Sequence, residues 1–99
     1  MEVFWHHKAY TSLDKNIDYL KKEWTQNEVA QFLDKVEVAI ELVLKNNELG
    51  VIFEDIPTLR KILITKEIYM FYEVDNERLY IVLFWNNYQN PDNLQMLFS

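Results

Sequence analysis

The side chains of this sequence that could do chemistry are mainly basic, and three of them lie close together. Arg60, Lys61 and Lys66 fall within a single apolar segment, where they could form a patch that binds phosphate. Charges on a solvated strand edge also serve solubility and prevent edge pairing, so both interpretations stay open. Arg78 directly follows Glu77 in a polar break, which favours an ordinary turn charge.

Composition excludes several other kinds of catalytic site. The chain has no cysteine and a single glycine, Gly50. Disulfides, thiolate zinc sites, cysteine nucleophiles and glycine-rich phosphate loops are therefore excluded together. His6 and His7 are adjacent at the end of a predicted strand, so their side chains point apart, and no third ligand stands at a suitable spacing. We expect neither a metal nor a cofactor.

Charge and length indicate one acidic domain. The net charge is -6 over 99 residues, so a strong nonspecific affinity for nucleic acid is not expected, and any RNA or DNA contact must be local. The first residues lack the basic region of a signal peptide, and no apolar run approaches membrane-spanning length. We therefore expect a single cytoplasmic domain over residues 1–99 that does not contact membranes.

Two amphipathic helices are predicted in the first half. From Lys8 onward, apolar residues recur every three or four positions up to Trp24, which we assign to the core. Thr25 and Glu28 then form a capping-box pattern, which predicts the start of a second helix that runs to Asn46 and Asn47. The short connection predicts an antiparallel helical hairpin.

The second half changes to strand character. Segments 59–65, 68–74 and 79–85 are rich in β-branched and aromatic residues and are separated by short polar breaks, which predicts an antiparallel meander. Segment 3–5 predicts a first strand, and segment 51–53 could be a further short one. The expected fold class is α+β, a two-helix hairpin packed on a small antiparallel sheet in the order β-α-α-β-β-β.

The last strand has apolar side chains on both faces. Strict alternation places Tyr80, Val82 and Phe84 on one face and Leu79, Ile81, Leu83 and Trp85 on the other. Two helices can cover only one face of the sheet. A partner chain, a second copy or the C-terminal tail, residues 90–99, is expected to cover part of the other face.

Several segments together resemble a known family. Segments 59–66 (LRKILITK), 70–74 (MFYEV) and 85–91 (WNNYQNP) resemble the second half of RelE/ParE toxins. Segment 3–5 leading into Ala9, segment 17–20 and Trp24 resemble the first strand and helix of the same superfamily. The resemblance spans about residues 3–94, and it implies the toxin of a type II toxin-antitoxin pair, held silent by a cognate antitoxin.

The resemblance also implies two alternative activities. RelE-like members cleave messenger RNA on the ribosome without a metal, using basic and hydroxyl groups that activate the 2′-OH and stabilise the phosphate. The candidates for those roles here are Arg60, Lys66 and Tyr88, with Lys61 and Arg78 as weaker ones. Arg60 and Lys66 share strand parity and are expected to face one groove.

The alternatives to cleavage are a ParE-like protein that binds DNA gyrase without enzymatic activity, and an inactive relative that acts as an antitoxin-binding or dimerising module. Relatives of this branch often have an acid and an arginine where this chain has Asn86 and Tyr88, which counts against nuclease chemistry. The sequence therefore leaves open whether the chain is an enzyme of the endoribonuclease class. It also leaves open whether the chain assembles as a homodimer or as a toxin-antitoxin hetero-oligomer.

Overall fold

The computed structural model describes residues 1–87, which form five strands and two helices. In chain order these elements are β1 (Glu2–Trp5), α1 (His7–Leu20), α2 (Gln26–Lys45), β2 (Val51–Phe53), β3 (Ile56–Thr65), β4 (Ile68–Asp75) and β5 (Arg78–Asn86). The predicted α+β class is confirmed, and segment 51–53 is a strand.

The capping box that predicts the second helix is formed. The Thr25 hydroxyl accepts a hydrogen bond from the Glu28 backbone N–H at 3.2 Å, and a Glu28 carboxylate oxygen accepts one from the Thr25 N–H at 3.3 Å. These bonds satisfy backbone donors that a helix start leaves unpaired, so α2 begins directly after Thr25.

The sheet has the strand order β1-β5-β4-β3-β2, so β1 and β2 are its edges. Strands β2 to β5 pair antiparallel, which confirms the predicted meander, whereas β1 pairs parallel with β5. The β4–β5 turn places Asn76 and Glu77 at positive φ, 49° and 64°. Two consecutive left-handed residues give the tight hairpin turn that matches strand twist.

The main core lies between the helices and one face of the sheet, which we call the helix face. It combines buried residues of α1 and α2 with inward residues of β4 and β5. Its largest members are Phe32, Tyr72 and Phe84. Among residues 1–87, no helix combines the length and apolar character needed to cross a bilayer.

A bulge in β5 changes the expected alternation of its side chains. Phe71 of β4 pairs with Leu83 and Tyr72 pairs with Ile81, so Val82 is an extra residue that breaks the period of two. Leu79 and Ile81 therefore share the helix face with Phe84. The expectation that they share a face with Leu83 and Trp85 is wrong for this reason.

The opposite face, which we call the outer face, has a smaller cluster of its own. It comprises Leu59, Phe71, Leu83 and Trp85, which are 1–7% exposed. Phe53 of β2 packs on it, with its ring 5.4 Å from that of Phe71 in an edge-to-face contact. The centre of the outer face is thus buried in the folded chain, while Leu63 at its border stays 49% exposed. The C-terminal tail, residues 90–99, which we expect to cover part of this face, lies outside the described residues.

Candidate functional site

Arg60 of β3 is directed at the loop between α2 and β2. Its guanidinium donates hydrogen bonds to the backbone carbonyls of Gly50 at 2.8 Å and Glu48 at 3.3 Å. The cross-strand partner of Arg60 is Tyr72, on the helix face. Charged donors to backbone carbonyls make strong hydrogen bonds, so Arg60 holds this loop against the sheet.

Tyr72 completes this network from β4. Its buried hydroxyl donates to the Asn47 carbonyl at 2.9 Å and accepts from the Gly50 N–H at 2.7 Å. Burial raises the pKa of Tyr72 above 10.0, although the Gly50 hydrogen bond and the charge of Arg60 act in the opposite direction. The hydroxyl is therefore neutral at physiological pH and serves as both donor and acceptor.

Position 50 requires glycine because a larger side chain does not fit there. A Cβ added there would lie 2.7 Å from the Tyr72 ring and hydroxyl and 2.9 Å from the Lys61 carbonyl oxygen. Real Cβ atoms do not approach other heavy atoms so closely. The single glycine of the sequence is thus where the chain passes directly over the buried tyrosine.

Lys66 lies beyond the end of β3, in the turn that leads to β4. The register of β3 shifts between Leu63 and Thr65, which interrupts strand alternation between Arg60 and Lys66. The expected common groove for Arg60 and Lys66 is therefore not formed by strand parity. Six residues of strand also separate their backbones by roughly 20 Å.

Lys66 instead borders a groove between this turn and the first half of α2. The groove has a volume of about 400 Å³. Its apolar lining consists of Trp24 and Phe32, whose rings meet edge to face with centroids 6.2 Å apart. Its polar and charged lining comprises Glu28, Gln31 and Lys35 of α2 and Thr65, Lys66 and Glu67 of the turn. We call this the α2–turn groove.

The remaining predicted residues lie elsewhere. The Lys61 ammonium lies 4.7 Å from the centroid of the Tyr69 ring on the outer face, in a cation–π contact. Arg78, at the start of β5, lies over the Phe4 ring at 5.2 Å, near the opposite edge of the sheet. Tyr88 lies outside the described residues. Within residues 1–87 the four basic candidates thus lie at four separate places, and no two of them share a site. These candidates are Arg60, Lys61, Lys66 and Arg78.

Sequence reasoning missed Tyr72, Asn47 and the α2–turn groove. Tyr72 lies in an apolar strand and gives no local sign that its hydroxyl bonds a loop more than twenty residues away. The only available signal is Gly50, a lone glycine after the second predicted helix, and such a glycine is equally typical of an ordinary helix end. The groove joins a helix to a distant turn, and no local pattern predicts such a contact.

Comparison with solved structures defines the class of protein to which this fold belongs. The chromosomal ParDE toxin-antitoxin system of P. aeruginosa contains a chain that matches with a TM-score of 0.72 and 16% identity, over 87% of this chain and 95% of that one. A YoeB/ParE toxin from Agrobacterium tumefaciens matches with a TM-score of 0.63 and 16% identity, over 87% and 98%. The isolated E. coli RelE toxin matches with a TM-score of 0.57 and 12% identity, over 98% and 95%. This is the RelE/ParE toxin fold.

The sequence establishes the family. Residues 3–91 match the family described as the ParE toxin of the type II toxin-antitoxin system parDE. No curated protein sequence matches the chain. The chain belongs to the ParE toxin family, within the RelE/ParE superfamily that the segments above resemble.

Proposed function

We propose that this chain is a cytoplasmic type II toxin that inhibits DNA gyrase by binding it, without enzymatic activity of its own. Membership of the ParE toxin family supports a toxin-antitoxin role. The arrangement of its basic side chains favours binding over cleavage. The alternative that relies on RelE-like chemistry is ribosome-dependent cleavage of messenger RNA.

The separation of the basic side chains carries this proposal. Metal-independent RNA cleavage requires a base, an acid and a charge-stabilising group within hydrogen-bond distance of one phosphate. Here Arg60 is bound to two backbone carbonyls beside α2, Lys61 lies on the outer face, and Lys66 lies beyond the far end of β3. A single phosphate cannot contact all three.

We also propose a cognate antitoxin as the second partner. Several large apolar side chains remain exposed beside the loop that Arg60 holds, notably Val51 at 66% and Ile52 at 46%. Val38 and Leu42, one turn apart on α2, are exposed at 52% and 46%. An antitoxin that covers such side chains would raise the thermal stability of the toxin by binding only its folded state.

The decisive experiment compares two activities of the purified chain. We expect it to inhibit supercoiling by gyrase and to accumulate cleaved gyrase–DNA complexes, while a purified translation system yields intact transcripts. Expression without an antitoxin should arrest growth with a DNA damage response. Truncated transcripts on ribosomes, with gyrase unaffected, would contradict this proposal and support cleavage of messenger RNA. Normal growth at strong expression would contradict both activities and support an inactive member of the family.

A variant that lacks two of the RelE-like candidates sharpens the comparison. Lys61→Gln combined with Tyr88→Phe removes a charge and a proton donor, and the Lys61 side chain lies on the outer face, away from the Arg60 guanidinium. Gyrase inhibition should persist in this variant. An RNA-cleaving toxin would instead lose most of its activity, since each such group typically contributes about 10²–10⁴-fold.

A further inference from the structure

Strand β1 leaves one edge of the sheet open. The His6 N–H donates to the Ile81 carbonyl of β5 at 2.9 Å. Because successive backbone groups of a strand point to alternate sides, the N–H and C=O of Phe4 also face β5, whereas those of Val3 and Trp5 face the free edge. The pairing of β1 with β5 is regular, while each of the other strand pairs has a register shift. Within residues 1–87, β1 therefore presents a straight edge that no other strand pairs.

The side chains beside this edge are aromatic and exposed. Phe4 is 40% exposed on the outer face, where its ring stacks on that of Tyr80 with centroids 5.8 Å apart. On the helix face, Tyr10 is 55% exposed and stacks on Trp5 at 5.2 Å. Strand β1 contains neither lysine nor proline nor a bulge, the features that commonly protect an edge from pairing with another chain.

The charges around β1 favour a second copy of this chain as the added strand. With a net charge of -6, two copies repel each other over most of their surface, so they associate best where unlike charges meet. Glu2 stands at one end of β1, and His6 and Lys8 lie just beyond the other. When two such edges meet antiparallel, each acidic end faces the basic end of the other copy. The β2 edge is the opposite case, because Glu48 precedes it and the acids 54–55 follow it, so two copies would place acids against acids.

We propose that two copies of this chain associate through antiparallel pairing of their β1 strands, which joins the two sheets into one. The register follows from the direction of the backbone groups. When Phe4 faces Phe4 of the second copy, Val3 of each copy exchanges both N–H···O bonds with Trp5 of the other. This register pairs both outward residues within the bounds of β1. The inference goes beyond the proposed function, since neither gyrase nor an antitoxin enters it.

The side chains agree with this register. Glu2 lies opposite His6 of the second copy, and the two-fold symmetry repeats the pair at the other end. On the outer face, the stacked rings of Tyr80 and Phe4 continue into the same pair of the second copy, which gives one row of aromatic rings across the interface. The pairing is short, so we expect a weak and reversible dimer, with a dissociation constant on the order of 100 μM.

Cysteine cross-linking tests the register, because the chain has no cysteine of its own. Facing residues of an antiparallel pair that are not hydrogen-bonded have Cα atoms about 4.5 Å apart, a distance that a disulfide spans. Under mild oxidation we expect Phe4→Cys to form a disulfide-linked dimer at least about tenfold faster than Val51→Cys at equal protein concentration. Val51 is the matched control, since it is 66% exposed on the other edge strand, β2. Equal rates would show that random collisions link the chains and would overturn the proposal.

Sedimentation equilibrium of the full chain tests the pairing of charges without cysteine. Glu2→Lys and His6→Glu each place like charges opposite one another at both ends of the interface, so each variant alone should associate about tenfold more weakly than wild type. An equal mixture of the two variants restores unlike pairs and should recover the association. Glu41→Lys makes the same change of charge as Glu2→Lys at an exposed position of α2 and should leave the association unchanged.

Two results of these sedimentation experiments would contradict the proposal. One is a wild-type chain that stays monomeric at millimolar concentration. The other is a mixture of Glu2→Lys and His6→Glu chains that associates no better than either variant alone. Both readouts are masses of the purified chain and do not involve gyrase or toxicity, so failure here is distinct from failure of the proposed function.

Discussion

Tyr72→Phe removes one oxygen atom from the centre of the network that holds the loop before β2. The ring remains, but the Gly50 N–H and the Asn47 carbonyl lose their partner. The side chain of Asn47 already has a buried oxygen, Oδ1, without a hydrogen-bond partner in the described chain. The variant therefore adds an unpaired donor and an unpaired acceptor to a loop that already holds one unpaired acceptor.

The expected loss follows from the burial of these two groups. A buried donor or acceptor left unpaired costs about 1–3 kcal/mol, and the Asn47 bond is only partly buried, so we expect a total of about 2–4 kcal/mol. Domains of this size are stable by about 5–15 kcal/mol, so the variant should still fold. Its melting temperature should fall by roughly 10–25 °C.

Urea unfolding followed by circular dichroism measures this loss directly. The midpoint should move to lower urea at an unchanged slope, because the surface exposed on unfolding is the same. Tyr19→Phe is the matched control, since Tyr19 is 47% exposed on α1, and it should change stability by less than about 0.5 kcal/mol. If Tyr72→Phe costs no more than this control, the hydroxyl does not hold the loop.

The same variant predicts a dependence on alkaline pH. Because the pKa of Tyr72 is raised above 10.0 in the folded chain, the folded state retains its proton while the unfolded state releases it. The contribution of Tyr72 to stability is complete below pH 10.0 and is lost as pH rises through the folded pKa. The stability difference between wild type and Tyr72→Phe should therefore narrow above pH 10.0, and a constant difference would contradict the assigned role.

Three further changes test other parts of the structure. Gly50→Ala should lower stability by about 1–3 kcal/mol, since the new methyl group meets the Tyr72 ring, and the combination with Tyr72→Phe should be non-additive in a double-mutant cycle of urea midpoints. Arg60→Ala should lower stability by about 1–2 kcal/mol through loss of the two hydrogen bonds to the Gly50 and Glu48 carbonyls, and full retention of the melting temperature would contradict this. Thr25→Ala should cost about 1 kcal/mol by loss of the capping box, measured against the exposed Thr58→Ala as control.

The sequence predicted the elements well because their signals are local. The capping box at Thr25 and Glu28, the helical spacing from Lys8 to Leu20 and the short polar breaks between strands each depend on neighbours within a few residues. The same spacing continues to Trp24, and its extension of the first helix to that residue is wrong, since α1 ends at Leu20. The parallel pairing of β1 with β5 could not be derived in this way, since it joins residues more than seventy positions apart. Non-local pairing is decided by packing of the whole sheet and leaves no sign in either strand alone.

Two bulges explain why the predicted positions of site residues were less accurate than the strands themselves. A period of two assigns faces only while pairing is regular, and one extra residue reverses every later assignment. The extra residue in β5, Val82, moves Leu83 and Trp85 to the outer face. The irregularity between Leu63 and Thr65 separates Lys66 from the alternation of Arg60. Nothing in the composition of either strand marks these positions.

The network of Tyr72 and Arg60 has a consequence for partner binding through β2. This strand has three residues and, among the described strands, pairs with β3 alone, too little pairing to hold a strand in place by itself. Its position therefore depends on the contact of Phe53 with Phe71 and on the loop bonds at Asn47, Glu48 and Gly50. Because an exposed apolar edge strand is a ready site for pairing with another chain, we expect these bonds to fix the edge in the geometry that a partner meets. Loss of the Tyr72 hydroxyl should then weaken partner binding even at temperatures where the variant remains fully folded.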